Sequence, residues 1–314
     1  DIRIWGAPFA LASYAAFGWL SARRRTDYLM IASLLITGIN VALDYWFVLH
    51  FHWGAAGVAA GTLIAEIAGF LICAVFVAMI LAKNGGIFAH WSPAALLNAE
   101  KIRRTMSVNR DIFIRTVLLA FSYSWFVQRS GQFGDVTLAA NQTLLQLFLF
   151  TGLALDGTAI AAETLVGGAI GDKDPVRGAA RYRSAVRRTF IIATALALIF
   201  AGAYLLFGDA LIALLTKDES IRIASQKFMP WVVVSPLIVV GGFQLDGIFI
   251  GATRAREMRD AMFVTAPIFV IATVLLAAPF GNHGLWAAFM LYFVLRGVTL
   301  VVFMPQIARG FARA

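Results

Sequence analysis

The sequence holds a single cysteine, Cys73, set in an apolar run. One thiol cannot form an internal disulfide, and without a CxxC pair or a Cys/His spacing there is no zinc signature. Histidine is scarce as well. His50, His52, His90 and His283 fall at segment ends or in loops, none forms HExxH, and they read as interfacial or solvated side chains. No GxxxxGKS/T, GxGxxG or GxSxG occurs, so ATP-driven transport and the common membrane-hydrolase chemistries lack their usual marks. Charge is the largest deficit. Asp, Glu, Lys and Arg make up 14% of the chain, where soluble domains carry about 25%. Hydrophobic residues make up 61% and the mean hydropathy is +0.81, which puts the chain among membrane proteins. No segment resembles a cleavable signal peptide.

What is present is a series of apolar runs long enough to cross about 30 Å of hydrocarbon. Nine are predicted: 4–21, 28–49, 54–82, 108–130, 135–164, 187–207, 228–251, 260–281 and 284–306. The one long polar break, 83–107, is basic, carries Pro93 and reads as a cytoplasmic linker between a bundle at 1–82 and another at 108–314. Basic residues alternate across the runs. Arg23, Arg24 and Arg25, then Lys83, Lys101, Arg103, Arg104 and Arg110, then Lys173, Arg177, Arg181, Arg183, Arg187 and Arg188, then Arg254, Arg256 and Arg259, and finally Arg309 and Arg313 share one side. The other side has only Arg3, Arg129, Lys217, Arg222 and Lys227. The basic side is therefore expected to be cytoplasmic, with the C-terminus inside. The net charge of +9 then follows from topology, and no nucleic-acid partner is needed.

The chain also repeats itself at an offset of about 230 residues. Trp5 and Pro8 lead through Gly18 to Arg23; Trp231 and Pro236 lead through Gly247 to Arg254. Each is followed by an apolar run and a short outer loop, Phe51-His-Trp-Gly54 in one copy and Gly281-Asn-His-Gly284 in the other. Parallel repeats of this kind mark transporters built from two pseudo-symmetric bundles. The second copy holds three more runs than the first, so the expectation is twelve helices in the intact protein, three of them preceding Asp1.

Polar groups at membrane depth are rare and commonly functional. Asn40 and Asp44 stand inside the run 28–49, spaced i, i+4, and so share one helix face about 6 Å apart. Asp44 lies about 25 Å along the helix from Asp27, in the outer half of the bilayer. Desolvation disfavours a bare carboxylate there, which suits a group that exchanges a proton or a cation, and Asn40 can hydrogen-bond either form. At the repeat offset the pair becomes Val270 and Val274, so packing alone does not demand it. Asp246 and Asp156 are candidates for a second cation site. Asn141, Gln142, Gln146 and Gln244 are candidates to line a cavity, although such side chains also join helices. Glu163 is expected to pair with a basic loop residue, and Glu66 and Arg296 to form structural ion pairs at the bundle edges. The GxxxG pairs Gly57/Gly61, Gly167/Gly171 and Gly247/Gly251 are expected to pack helices closely. Pro8 and Pro236 are expected to kink theirs, and Phe148 and Phe150 are candidates to face an aromatic cavity.

Several stretches in fixed order, Ile39-Asn-Val-Ala-Leu-Asp44, Gly54-Ala-Ala-Gly57-Val-Ala-Ala-Gly61-Thr, Leu138-Ala-Ala-Asn-Gln142, Ala162-Glu-Thr-Leu-Val-Gly-Gly-Ala-Ile-Gly171 and Gly247-Ile-Phe-Ile-Gly-Ala-Thr-Arg254, resemble the MATE (multidrug and toxic compound extrusion) family in its DinF-like branch. The resemblance covers essentially all 314 residues as helices four to twelve. It implies an all-α polytopic membrane protein of two pseudo-symmetric six-helix bundles, the first incomplete, with nine transmembrane helices present. It also implies that Asn40 and Asp44 match the fifth-helix pair which, with an acid on the first helix, couples export to proton uptake. The sodium-coupled NorM-like branch uses acids on its seventh and tenth helices. Asp246 matches the latter, but the seventh helix offers only Asp111 at its cytoplasmic end.

The expected function is a secondary exporter, not an enzyme, moving small organic and often cationic compounds out in exchange for protons. It would sit in a bacterial inner (plasma) membrane, as a monomer in the lipid bilayer, with no cofactor beyond the proton gradient or a sodium gradient. Sodium antiport by the same fold is one alternative. A flippase for a lipid-linked precursor is another; it would need several cavity arginines, for which Arg115, Arg129 and Arg296 are the candidates. A membrane-embedded enzyme would need clustered acids, and these are scattered.

Overall fold

In hydrocarbon a backbone must satisfy its own hydrogen bonds, so apolar runs of this length become helices. The computed structural model describes residues 2–23, 25–83 and 98–311, and all regular elements among them are helical. Arg24, Arg313 and most of the expected linker, residues 84–97 with His90 and Pro93, lie outside the described residues, as does the side chain of Arg104.

A short 3-10 turn, Ile2–Gly6, leads into α1 (Ala7–Ala22). Pro8 sits in the first turn of α1, where its missing N–H deprives no carbonyl of a partner, so it does not kink the helix as expected. Helix α2 (Thr26–Tyr45) runs on through a π-helical turn, Trp46–His50, and α3 spans Gly54–Lys83. Helix α4 covers Ala99–Ser130, so residues 99–107 are already helical. Helix α5 (Asp135–Ile170) follows Gly134, whose φ of 93° favours glycine. Asp174 and Asp218 cap α6 (Pro175–Leu215) and α7 (Glu219–Gly251), each accepting two backbone N–H groups. Helix α8 (Ala255–Gly310) breaks at Gly281, whose backbone is non-helical at φ 57° and ψ −136°. The last two apolar runs lie on either side of that break.

Among the described residues, six helices are long and apolar enough to cross a membrane: Thr26–His50, Gly54–Lys83, Asp135–Ile170, Pro175–Leu215, Glu219–Gly251 and Ala255–Gly310. Helix α1 has 16 residues, and the apolar part of α4 is interrupted by Arg110, Asp111 and Arg115.

The chain divides into two compact units, Asp1–Asn98 and Ala99–Ala314. In the first, α3 packs against both α1 and α2. In the second, α5 makes its most extensive contact with α7, α6 lies against both, and α4 and α7 each pack on α8. Small residues set the α5–α7 approach. A Cβ on Gly247 would meet the backbone of Ala159, and one on Gly251 the backbone of Glu163, so here the GxxxG spacing packs helices closely, as expected. The core of the second unit is aromatic. Phe126, Phe148, Phe269, Trp286, Phe289, Tyr292 and Phe293 are buried together. Phe148 is buried in this core, whereas Phe150, two residues on, is exposed and meets Phe200 edge-on.

Candidate functional site

In the first unit, α2 presents Asn40 and Asp44 to α3. Asn40 Nδ2 donates to Thr62 Oγ1 at 3.4 Å, and that hydroxyl in turn donates to the carbonyl of Val58 at 2.9 Å. Asp44 Oδ1 is buried and has no hydrogen-bond partner among the described residues. It lies over Gly61, where an added Cβ would collide with it. The neighbouring Gly57 faces Phe47 in the same way, at 3.0 Å from a built Cβ. One turn past Asp44, the rings of Phe47 and Trp53 stack at 5.1 Å and Phe51 and Trp53 at 5.5 Å, closing the end of the helix pair with apolar surface. A carboxylate oxygen without a donor in such a setting is costly. Asn40 and Asp44 thus stand on the same face of α2, against Thr62 and Gly61 of α3. Glu66, expected in an ion pair at a bundle edge, has no basic partner among the described residues; its carboxyl presses on the backbone at Gly6.

In the second unit, the acids and bases at depth gather in one place. Asp246 on α7 is 7% exposed and takes two guanidinium groups on one oxygen. Arg115 of α4 donates to Oδ2 at 2.5 Å, and Arg296 of α8 donates to the same atom. Arg296 is 2% exposed, so its ion pair is internal and not at an edge. Arg115 Nε and Asp246 Oδ1 remain buried and unpaired. Asp156 stands on an exposed position of α5 and pairs with no base among the described residues. Asp246 is thus already occupied by two guanidiniums, and neither of them bonds to Asp156 among the described residues.

The amide candidates separate into two groups. Asn141 is buried and joins helices. Its Nδ2 donates to Ser130 Oγ at 2.8 Å and Asn282 Oδ1 at 2.7 Å, and its Oδ1 accepts from Asn282 Nδ2 at 3.0 Å and Trp286 Nε1 at 2.9 Å. Every hydrogen-bonding position of that amide is filled, which fastens α4 and α5 to α8 beside its break. Gln244 is fully buried and donates to Thr158 Oγ1 at 2.5 Å, another helix-to-helix contact. Gln142 and Gln146 are exposed on α5, on one stripe with Phe150, Leu153 and Asp156. Glu163 is half-buried and has no basic partner among the described residues; its backbone lies against Gly251 of α7. Sequence reasoning missed the shared carboxylate of Arg115 and Arg296. The signal available was the balance of charge, since two arginines at membrane depth need acids within reach. Asp111, placed from the sequence only at the cytoplasmic end of its helix, is 5% exposed and ties α4 to α8 through Arg259 at 2.7 Å.

Comparison with known proteins adds to this geometry. The MatE family pattern matches residues 112–280, more than half of the chain. The chain belongs to the MATE family. Members of that family are secondary transporters and not enzymes. DNA damage-inducible protein F of Escherichia coli (strain K12) is 37% identical over 305 residues, covering 96% of this chain and 64% of the relative. Protein DETOXIFICATION 42 of Arabidopsis thaliana is 26% identical over 296 residues, covering 94% of this chain and 55% of the relative. The chain therefore spans less than two-thirds of the length of these MATE relatives. Among solved structures, a MATE in complex with MaL6 superposes with a TM-score of 0.87 at 16% identity, over 100% of this chain and 70% of the other. The Vibrio cholerae MATE transporter VcmN, as a mutant, gives 0.80 at 16% identity, over 98% and 68%. These likenesses establish the MATE fold for the chain.

Proposed function

We propose that the protein of which this chain forms part exports small organic, often cationic compounds across a bacterial inner membrane, in exchange for protons taken up at Asp44. The observation that carries this reading is the unpaired, buried Oδ1 of Asp44 over Gly61, with Asn40 one turn away. A proton arriving from outside neutralises the carboxyl, alters how α2 seats on α3, and so changes the substrate site as alternating access requires. The exposed stripe of α5 with Gln142, Gln146, Phe150 and Asp156 offers apolar and polar contacts suited to an organic cation. The layout that accompanies the proposal is nine membrane helices here, counting the halves of α8 separately, in bundles at 1–82 and 108–314 with a cytoplasmic linker at 83–107. The C-terminus is cytoplasmic and the protein a monomer.

The alternatives fare less well on particular residues. Sodium coupling through Asp246 and Asp156 would have to displace guanidiniums already seated there. A flippase would need free arginines to bind phosphate, yet Arg115 and Arg296 are committed to Asp246, and Arg129 donates to Gln132 while lying over the Trp125 ring. The test is efflux of a fluorescent organic cation from cells carrying the full-length gene. Export is expected to stop when the proton gradient is collapsed and in Asp44→Asn at equal expression, and to be indifferent to sodium. Sodium-dependent export that survives Asp44→Asn would move the coupling site to Asp246.

A further inference from the structure

Helix α6 is 41 residues long, about twice what a bilayer needs. Its uncharged part, residues 189–208, is about 30 Å long and matches the hydrocarbon core. The residues just before it, Arg187 and Arg188, therefore stand at the level of lipid phosphates. Arg183 lies one turn further out. These three line a groove of about 370 Å³ with Ser184 and Ile191, all on one face of the helix. The opposite face, with Tyr182, Ala185, Thr189 and Ala193, is buried in the unit. The arginine face continues into Ile191, Ile192, Leu198 and Ile199, which are 57–66% exposed, an apolar surface of the kind that acyl chains cover.

Many basic residues of this unit are already held by carboxylates. In the same unit, Arg177 and Arg181 are held by Asp172, whose carboxyl they keep far below the usual range. Arg254 is held by Glu257, Arg256 by Asp260, and Arg259 by Asp111 and Asp260. Among the described residues, no carboxylate pairs with Arg183, Arg187 or Arg188. Three adjacent guanidiniums without counter-ions, with a hydroxyl between them and an apolar strip running from them into the bilayer, match one chemistry. We infer that this face of α6 is a binding site for an anionic phospholipid, its phosphate on Arg183, Arg187 and Arg188 and its acyl chains along Ile191, Ile192 and Leu198.

The test uses purified full-length protein in neutral detergent and phosphatidylglycerol, with phosphatidylcholine as the zwitterionic reference, read by native mass spectrometry of bound lipid. Phosphatidylglycerol is expected to bind more tightly than phosphatidylcholine. Arg183→Gln, Arg187→Gln and Arg188→Gln should weaken it about fivefold per arginine removed, and Arg188→Gln alone should show one such step. A variant with Arg103→Gln, Lys173→Gln and Arg309→Gln, which loses the same net charge, should keep the preference. Equal loss in that control would reduce the effect to bulk charge and overturn the proposal, as would unchanged binding in the α6 variants. Displacement of the lipid by millimolar inorganic phosphate would also overturn it, because a free anion would then be the ligand.

Discussion

Asp246 balances two guanidiniums on one oxygen, and that asymmetry governs what a change there does. Asp246→Asn leaves Arg115 and Arg296 facing one another in a dry site, and removal of one partner from a buried pair costs about 3–5 kcal/mol. Asp246→Asn is expected to lower the melting temperature of the purified protein sharply, and adding Arg115→Gln to the same molecule should restore part of the loss. A single variant as stable as the parent would show that the ion pair does not hold these helices. At this scale the sequence was half legible. Depth within an apolar run was enough to mark Asn40, Asp44 and Asp246, because hydrocarbon penalises polar groups wherever they occur. The partners were not legible, because they come from helices 131 and 50 residues away in the chain. For the same reason Asn141 read as a cavity residue, although its four hydrogen bonds go to Ser130, Asn282 and Trp286.

Among the elements, α8 is the one whose shape most needs explaining. Gly281 breaks it, and Asn282, the next residue, pairs reciprocally with Asn141 of α5. The break is thus fastened at the residue that follows it. Hydrogen bonds between membrane helices contribute about 0.6 kcal/mol on average and up to about 1.7. A double-mutant cycle of Asn141→Ala and Asn282→Ala, read by unfolding in detergent, should give a coupling energy towards the upper end, since both amides are buried. Additive single effects would mean that the pair does not hold the break. The helices themselves were legible from the lengths of their apolar runs, and the Gly281 turn from the repeat with Phe51-His-Trp-Gly54. Two details escaped. Pro8 and Pro236 occupy matching repeat positions, but one opens a helix and the other lies inside one, a difference set by where each helix begins. The amphipathic start of α4 carries too much charge to read as part of a membrane helix, yet it is helical from Ala99.

For the whole molecule, the lopsided placement of Lys and Arg predicts which ends of the helices face the cytoplasm. The one thiol of this chain, Cys73, is fully buried, so it adds no background of its own to single introduced cysteines. In spheroplasts, a membrane-impermeant maleimide is expected to label Lys217→Cys directly and Lys173→Cys only after permeabilisation; the reverse pattern would invert the orientation. The fold was legible at this scale because membrane spans are written in composition and repeat period, both local properties of the chain. What holds each unit together is written in contacts between helices, which no window of sequence contains.

The bare backbone at Gly61 has a hereditary consequence. The hydrogen there occupies the only space that lets the Asp44 carboxyl lie between α2 and α3, so the two positions are not free to vary alone. A lineage that keeps the acid must keep the glycine, whereas one that has lost the acid is released to fill the gap. On the role proposed for Asp44, the history of coupling in such proteins should therefore be written twice, once in an acid and once in a residue that has no side chain at all.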